Sequence, residues 1–127
     1  MIQLTKVNKS YNNKVKAVDN INLIIPDGEI FGFLGPNGAG KTTTIKMITG
    51  IINADSGDIS INNINIKDNA LKAKMQFGFV PDNPDMFLRL KGIEYLNFMV
   101  DIYGVDKNER IERLTSLSAR LDLSQAL

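Results

Sequence analysis

The sequence has 127 residues, about one domain's length on a prior of roughly 100–200 residues per domain. Its 15 basic and 14 acidic residues nearly cancel, which argues against a nucleic-acid partner held by phosphate neutralisation. The chain contains no cysteine and no histidine, which excludes disulfides, thiolate or histidine metal sites and Ser-His-Asp triads.

The hydropathy pattern contains neither a membrane span nor a secretory signal. No stretch approaches the ~18 consecutive apolar residues that a spanning helix needs. Residues 1–11 alternate and lack a basic region followed by an apolar run. We therefore expect a cytoplasmic protein.

The first half of the sequence predicts strands around one helix. Residues 2–7 alternate apolar and polar, and residues 21–25 are β-branched and apolar before a Pro-Asp-Gly turn. Residues 30–34 form a short apolar run that predicts a buried strand. From Gly40 to about Gly50 the apolar positions recur at helical spacing, with Gly50 near the expected C-cap.

The second half predicts a hairpin followed mainly by helices. Residues 58–66 alternate around Asn62-Asn63, and asparagine tolerates the positive φ of a tight turn. A short helix is expected near 69–75 and another apolar strand at 77–80. Periodic apolar residues then predict helices over 93–103 and 107–120, so the chain is mixed α/β.

The segment GPNGAGKT at 35–42 matches the phosphate-loop pattern G-x-x-x-x-G-K-[ST] and lies between a predicted strand and a predicted helix. Gly35, Gly38 and Gly40 let successive N–H groups turn inward as an anion nest, and the helix N-terminus adds a positive dipole end. The alternative is a glycine-rich turn with an incidental lysine.

Three side chains at the end of this segment suit a nucleoside triphosphate with Mg²⁺. Lys41 can reach the β- and γ-phosphates, Thr42 offers a hydroxyl to Mg²⁺, and Thr43 can donate to the α-phosphate. The candidate binding residues of the segment are Gly35, Pro36, Asn37, Gly38, Ala39, Gly40, Lys41, Thr42 and Thr43. We therefore predict binding of ATP with Mg²⁺.

The segments around the loop resemble the nucleotide-binding domain of ATP-binding cassette (ABC) transporters. The resemblance is carried in order by VNKSYNNKVKAVDNINLII, PDGEIFGFLGPNGAGKTTTIKMITGI, SGDISINNINI and FGFVPDNPDMFLRLKGIEYLNFMVDIYG. It covers the whole chain and is strongest to the drug- and antibiotic-exporter branch.

The resemblance implies an α/β phosphate-loop NTPase core of the ABC ATPase type. Its features are N-terminal antiparallel strands and the start of a helical subdomain, in an incomplete fold. Residues 1–90 are expected to form the nucleotide-binding core, with the phosphate loop at 35–42. Residues 91–127 would begin the helical subdomain and stop before the family's signature motif.

Two further site residues follow from the resemblance alone. Tyr11 stands where the family has an aromatic residue that stacks on adenine. Asp82, in a loop set by Pro81 and Pro84, stands where the family has a glutamine that helps to hold Mg²⁺ and the attacking water. Because aspartate is shorter and acidic, direct metal contact at this position is a weaker expectation.

The sequence lacks the family's hydrolysis motifs, so no catalytic residue is expected within it. The LSGGQ-like signature, a Walker B strand followed by Asp-Glu, and the switch histidine are all missing. The closest Walker B candidate, Asp101, lies in a helical pattern and is expected on a helix surface. We therefore expect the N-terminal part of a longer ABC ATPase.

The expected function is ATP binding, with hydrolysis powering export in the full protein. The expected partners are a second nucleotide-binding domain and transmembrane permease subunits, which would hold the protein at the inner face of the membrane. Alternatives are a non-catalytic nucleotide-binding module and a GTPase, although the guanine motif N-K-x-D is missing. The isolated chain could also self-associate through uncovered apolar faces.

Overall fold

A computed structural model describes residues 1–12, 15–83 and 90–123. The chain divides into two compact units, Met1–Phe79 and Val80–Leu127. None of the described helices is long and apolar enough to cross a membrane. Pro84, part of the predicted loop, lies outside the described residues.

The first unit is a four-stranded antiparallel sheet with two helices. The strands lie in the order β2-β1-β3-β4, so the N-terminal strand is central. The elements are β1 (Ile2–Tyr11), β2 (Val15–Ile25), α1 (Lys41–Ile48), β3 (Ser56–Ile61), β4 (Ile64–Asn65) and α2 (Ala70–Lys74). The strands predicted at 2–7 and 21–25 are confirmed and are longer than predicted.

The core of this unit lies between the sheet and α1. Its buried members are Leu4, Val7, Val18, Met47 and Ile59. Met47 is the apolar side chain that α1 buries completely. A fully buried side chain of this kind contributes about 1.5–3 kcal/mol relative to an exposed one, so these contacts hold α1 against the strands.

A bulge in β1 brings Val7 into the core. Strict alternation from Leu4 would place Lys6 inward. Instead, the register of β1 against β2 shifts between Leu4 and Val7, and Lys6 takes a positive φ of 50°. The side-chain amide of Asn8 donates to the Lys6 carbonyl at 2.8 Å. Gly57 of β3 faces the same carbonyl, because a Cβ built there would lie 2.3 Å from the Lys6 oxygen.

The predicted hairpin is confirmed. Asn62 and Asn63 connect β3 to β4 with φ values of 49° and 62°, the pair of positive angles that a type I′ turn requires. Asn62 also accepts a hydrogen bond from the N-terminal ammonium at 2.8 Å. The turn is therefore tied to the first residue of the central strand.

Asp55, just before β3, connects that strand to β1. Its carboxylate accepts from Lys9 Nζ at 2.6 Å and from the Ser10 N–H at 2.7 Å. The Lys9 hydrogen bond, followed by the Ser10 N–H, lowers the pKa of Asp55.

Two predicted strands are wrong. Residues 30–34 and 77–80 are apolar, yet the structure has no strand in either segment. Leu34 is 93% exposed and Val80 is 90% exposed. A strand needs a neighbour for its backbone N–H and C=O groups, and neither segment pairs with a described strand.

The second unit contains the helices α3 (Gly92–Ile102) and α4 (Lys107–Arg120), which confirm the predicted helices. Glu94 accepts from the Lys91 N–H at 2.9 Å, so half of a capping box forms without an N-cap hydroxyl. Asp101 is exposed on α3, as predicted, and is paired with Arg110 of α4.

Candidate phosphate-binding site

The phosphate loop begins with a tight turn. The Ala39 N–H donates to the Pro36 carbonyl at 3.2 Å, so Asn37 and Gly38 occupy the turn's centre. Asn37 has a negative φ and Gly38 has a φ of 84°. A type II turn has these signs at its two central residues. This turn exposes the backbone of Asn37 and Gly38 on the loop surface.

Gly40 joins the turn to α1 and lies close to β2. Its φ is 81°, and a Cβ built on it would lie 2.2 Å from the Ala17 carbonyl oxygen. No larger residue fits this position without moving the loop away from the strand. Packing against β2 therefore fixes where the N-terminus of α1 points.

The N-terminus of α1 presents donors to the loop. No side chain caps the helix at Gly40, so the first-turn N–H groups keep their bonding capacity for a ligand. The Thr44 hydroxyl turns back to donate to the Gly40 carbonyl at 2.9 Å, and Thr44 is buried. The helix dipole adds positive potential at the same end.

Lys41 folds over the loop. Its Nζ donates to the carbonyl of Gly35 at 2.5 Å and to that of Pro36 at 2.7 Å. The ammonium group thus lies inside the curve of the loop, where two uncharged carbonyls accept its hydrogen bonds and leave its positive charge uncompensated. An anionic ligand would give the ammonium group a stronger, charge-assisted partner.

The loop and the start of α1 enclose a cavity of about 210 Å³. Its lining residues are Ala17, Asn37, Gly38, Ala39, Gly40, Lys41, Thr42 and Thr43. The lining contains backbone N–H groups, hydroxyls and one ammonium group but no carboxylate. This donor set fits a phosphate chain.

A divalent cation fits the same place only together with a phosphate ligand. Thr42 supplies one exposed hydroxyl, and the described residues contain no group of three acidic side chains that could hold a metal ion. Mg²⁺ prefers oxygen ligands and keeps several waters, so phosphate oxygens would have to complete its shell. The residues therefore suit Mg²⁺ carried by a nucleotide.

A larger cavity of about 480 Å³ lies at the opposite end of α1, around Ile48, Gly50 and Ile66. It contains none of the phosphate-loop donors. We assign the candidate site to the smaller cavity because its chemistry, rather than its size, matches an anion.

The structure brings the predicted loop residues together, and Tyr11 and Asp82 are not among the residues that line their cavity. Tyr11 ends β1, is 43% exposed and pairs with Val15, two residues before the cavity-lining Ala17. Asp82 is exposed and belongs to the second unit. Adenine stacking by Tyr11 and metal contact by Asp82 stay predictions.

Ala17 is the site residue that the sequence did not indicate. It is a small apolar residue within a strand, and it touches the loop through its main-chain carbonyl. A main-chain contact of this kind leaves no residue pattern from which it could be predicted.

Residues 18–126 match the family described as ABC transporter. The linearmycin resistance ATP-binding protein LnrL of Bacillus subtilis is 36% identical over 98% of this chain. The chain spans 40% of the length of that relative.

Solved structures give the same result for the fold. The ATP-binding subunit of an ABC transporter superposes with a TM-score of 0.91 at 28% identity, covering 100% of this chain and 52% of that one. The dimeric ATP-binding cassette MJ0796 bound to ADP and Pi gives 0.76 at 26% identity, covering 91% and 55%. These matches confirm the predicted ABC ATPase-type fold, and the chain belongs to the ABC transporter family.

Proposed function

We propose that this chain binds the phosphates of MgATP at residues 35–43 and is part of the ATPase of an ABC exporter. The observation that carries the proposal is the loop cavity, where an ammonium group and backbone N–H groups converge without any carboxylate. The MJ0796 structure, which is bound to ADP and Pi, supports a nucleotide as the ligand.

Each loop residue has a defined role in this proposal. Lys41 exchanges the carbonyls of Gly35 and Pro36 for the β- and γ-phosphate oxygens. The N–H groups from Gly38 to Thr43 bind the phosphate chain, since they line the cavity. Thr42 gives its hydroxyl to Mg²⁺, and Thr43 donates to the α-phosphate.

Two residues outside the cavity complete the proposed site. Tyr11 stacks its exposed ring on adenine, a contact that tolerates imperfect geometry. Asp82 contributes a carboxylate toward Mg²⁺ and the attacking water, in the place where the family has glutamine.

The whole protein is proposed to hydrolyse ATP as a dimer of nucleotide-binding domains joined to permease subunits at the inner membrane face. The Nod factor export ATP-binding protein I of Cupriavidus metallidurans, a relative that is 35% identical, supports export as the task. Phosphoryl transfer in such sites consists mainly of positioning and charge stabilisation. Residues 1–127 lack a glutamate after a Walker B strand, so the chain alone is proposed to bind ATP without turnover.

The deciding experiment compares MgATP affinity in two lysine variants. Lys41→Ala removes the ammonium group from the loop and should weaken binding by about ten- to hundredfold, the value of a charge-assisted hydrogen bond. Lys46→Ala is the matched control, because that exposed lysine lies in the last turn of α1. Equal affinity in both variants would contradict the phosphate-site assignment.

In the full-length protein the same Lys41→Ala change should slow hydrolysis by roughly several hundredfold, as loss of one preorganised charge-stabilising group does. Metal-dependent turnover by the 127-residue chain that Lys41→Ala abolishes would contradict the non-catalytic reading of this chain.

The base site is tested separately. Tyr11→Ala should weaken ATP binding by ~1–3 kcal/mol, while Tyr11→Phe, which keeps the ring, should restore it. Competition by excess GTP tests the GTPase alternative, since preferential displacement by GTP would overturn adenine stacking at Tyr11.

A further inference from the structure

The phosphate loop contains a chemically labile dipeptide. Asn37 is the only asparagine in the sequence that is followed by glycine. In such a pair the backbone nitrogen of the glycine can attack the asparagine side-chain amide, because no Cβ on the next residue obstructs ring closure. The same dipeptide provides the turn that shapes the anion nest.

The geometry leaves both reacting groups accessible. Asn37 and Gly38 are exposed, and neither the Asn37 amide nor the Gly38 N–H is hydrogen-bonded to another described residue. A Cβ built on Gly38 would meet no atom within 4 Å, so open space lies beside the backbone at this residue. Asn62 differs, since its side chain bonds the N-terminal ammonium and Gln76.

The charge around the turn favours the reaction. Lys41 Nζ lies 2.7 Å from the carbonyl oxygen of Pro36, the residue that precedes Asn37. Lys41 and Gly38 line the same cavity, and a nearby cation favours the anionic form of a neighbouring group, here the ionised Gly38 amide that attacks. No carboxylate lines the cavity to oppose it.

We propose that Asn37 is a site of spontaneous deamidation that converts the phosphate loop to a form with weakened anion binding. The modification itself depends only on the exposed turn. Its effect on ligand binding rests on the proposed function.

The reaction is balanced with water as the only co-reactant. The Gly38 nitrogen loses its proton to solvent base and forms a bond to Cγ of Asn37. The bond from Cγ to Nδ2 then breaks, and ammonia leaves with a proton from solvent. Water adds to either carbonyl of the resulting succinimide, and the ring opens to aspartate or isoaspartate.

The product changes the electrostatics of the cavity. A neutral amide becomes a carboxylate among the residues that line the anion site. Like charges at contact distance repel, and isoaspartate also lengthens the backbone through the turn. Both aspartate and isoaspartate should therefore weaken phosphate binding.

The first experiment ages the ligand-free chain at mildly alkaline pH and follows each asparagine by peptide-mapping mass spectrometry. Asn37 should convert about tenfold faster than Asn53, because the alanine after Asn53 carries a Cβ that hinders ring closure. A tenfold difference in rate corresponds to ~1.4 kcal/mol in the transition state. Asn53 is the matched control because it is exposed and is followed by alanine. Conversion of Asn37 no faster than Asn53 would overturn the proposal.

The second experiment measures the consequence with MgATP as the probe. Asn37→Asp should bind it about tenfold more weakly than the parent chain, by like-charge repulsion, and an unchanged far-UV spectrum would show that the fold is intact. Unchanged affinity would overturn the proposed effect on binding.

Saturating MgATP should also slow conversion at Asn37 and leave Asn53 unaffected, because phosphate would engage the Gly38 N–H. Selective conversion that MgATP does not slow would support the modification site and contradict the proposed function. The experiments can therefore contradict the modification of Asn37 and the binding of MgATP independently of each other.

Discussion

The sheet with α1 and the two apolar segments 30–34 and 77–80 are built from similar residues, yet only the first has a core of fully buried side chains. Leu4 of β1 is 2% exposed, while Leu34 is 93% exposed. β1 has a hydrogen-bonded strand on each side. Neither apolar segment pairs with a described strand.

The difference shows that apolar composition predicts burial only where a partner is present. Antiparallel neighbours come from nearby sequence, as in the hairpin of β3 and β4. A buried strand with apolar residues on both faces needs neighbours from further along a chain. The described residues supply β1 with a nearby partner, β2, and a distant one, β3, but they supply no partner strand for residues 30–34.

The largest expected effect is a matched pair of leucine truncations. Leu4→Ala should lower the free energy of unfolding by about 2–5 kcal/mol, because it opens a cavity in the core. Leu34→Ala should change it by less than about 0.5 kcal/mol, as an exposed site does. Urea titration of both variants measures the contrast, and equal losses would show that residues 30–34 are packed.

A second pair tests the bulge that aligns β1 with β3. Gly57→Ala should destabilise the chain by about 1–3 kcal/mol or more, because φ is 84° and the added Cβ would meet the Lys6 carbonyl. Gly28→Ala has a similar φ of 78° but open space around it, so only the backbone strain remains. Thermal unfolding should rank Gly57→Ala as the more damaging change.

The exposed apolar segment should drive self-association of the isolated chain. Ile30→Lys should reduce the associated fraction in sedimentation velocity by roughly severalfold, because a charge opposes apolar contact between copies. Leu71→Lys is the control, since Leu71 is exposed on α2. A monomeric parent chain, or an equal effect of both changes, would remove residues 30–34 as the cause.

The smallest expected effect concerns the ion pair that joins β1 to β3. The pKa of Asp55 is lowered in the folded chain, so its stabilising contribution is present above the unfolded pKa and is lost as pH falls through the folded value. Lys9→Gln should raise the Asp55 pKa toward its ordinary value, as NMR titration of the carboxyl carbon would measure. A pKa that stays low would assign the shift to the Ser10 N–H.

Local features were predictable because their causes are local. Asn62-Asn63 specifies its turn through the tolerance of asparagine for positive φ, and Gly50, with a φ of 65°, follows the C-cap of α1 as predicted. The Glu94 cap is equally local. The bulge at Lys6 was not predictable, because it depends on Asn8 and Gly57 meeting it from elsewhere in the sheet.

The candidate site likewise has one part that the sequence indicates and another part that only the fold reveals. The phosphate-loop donors follow from a contiguous motif, so the sequence alone names residues 35–43 as the candidate site. Ala17 contributes through its backbone carbonyl, which lies against Gly40. The two residues are 23 positions apart in the sequence, so only the fold could reveal this contact.

The sequence by itself therefore determined the family, the phosphate loop and the local turns, since each is encoded by adjacent residues whose conformations limit one another. Tertiary structure decided which apolar residues are buried and how β2 holds the loop at the start of α1. The physical reason is that hydrogen bonding and apolar burial need a second surface, and a residue's own side chain does not specify that surface.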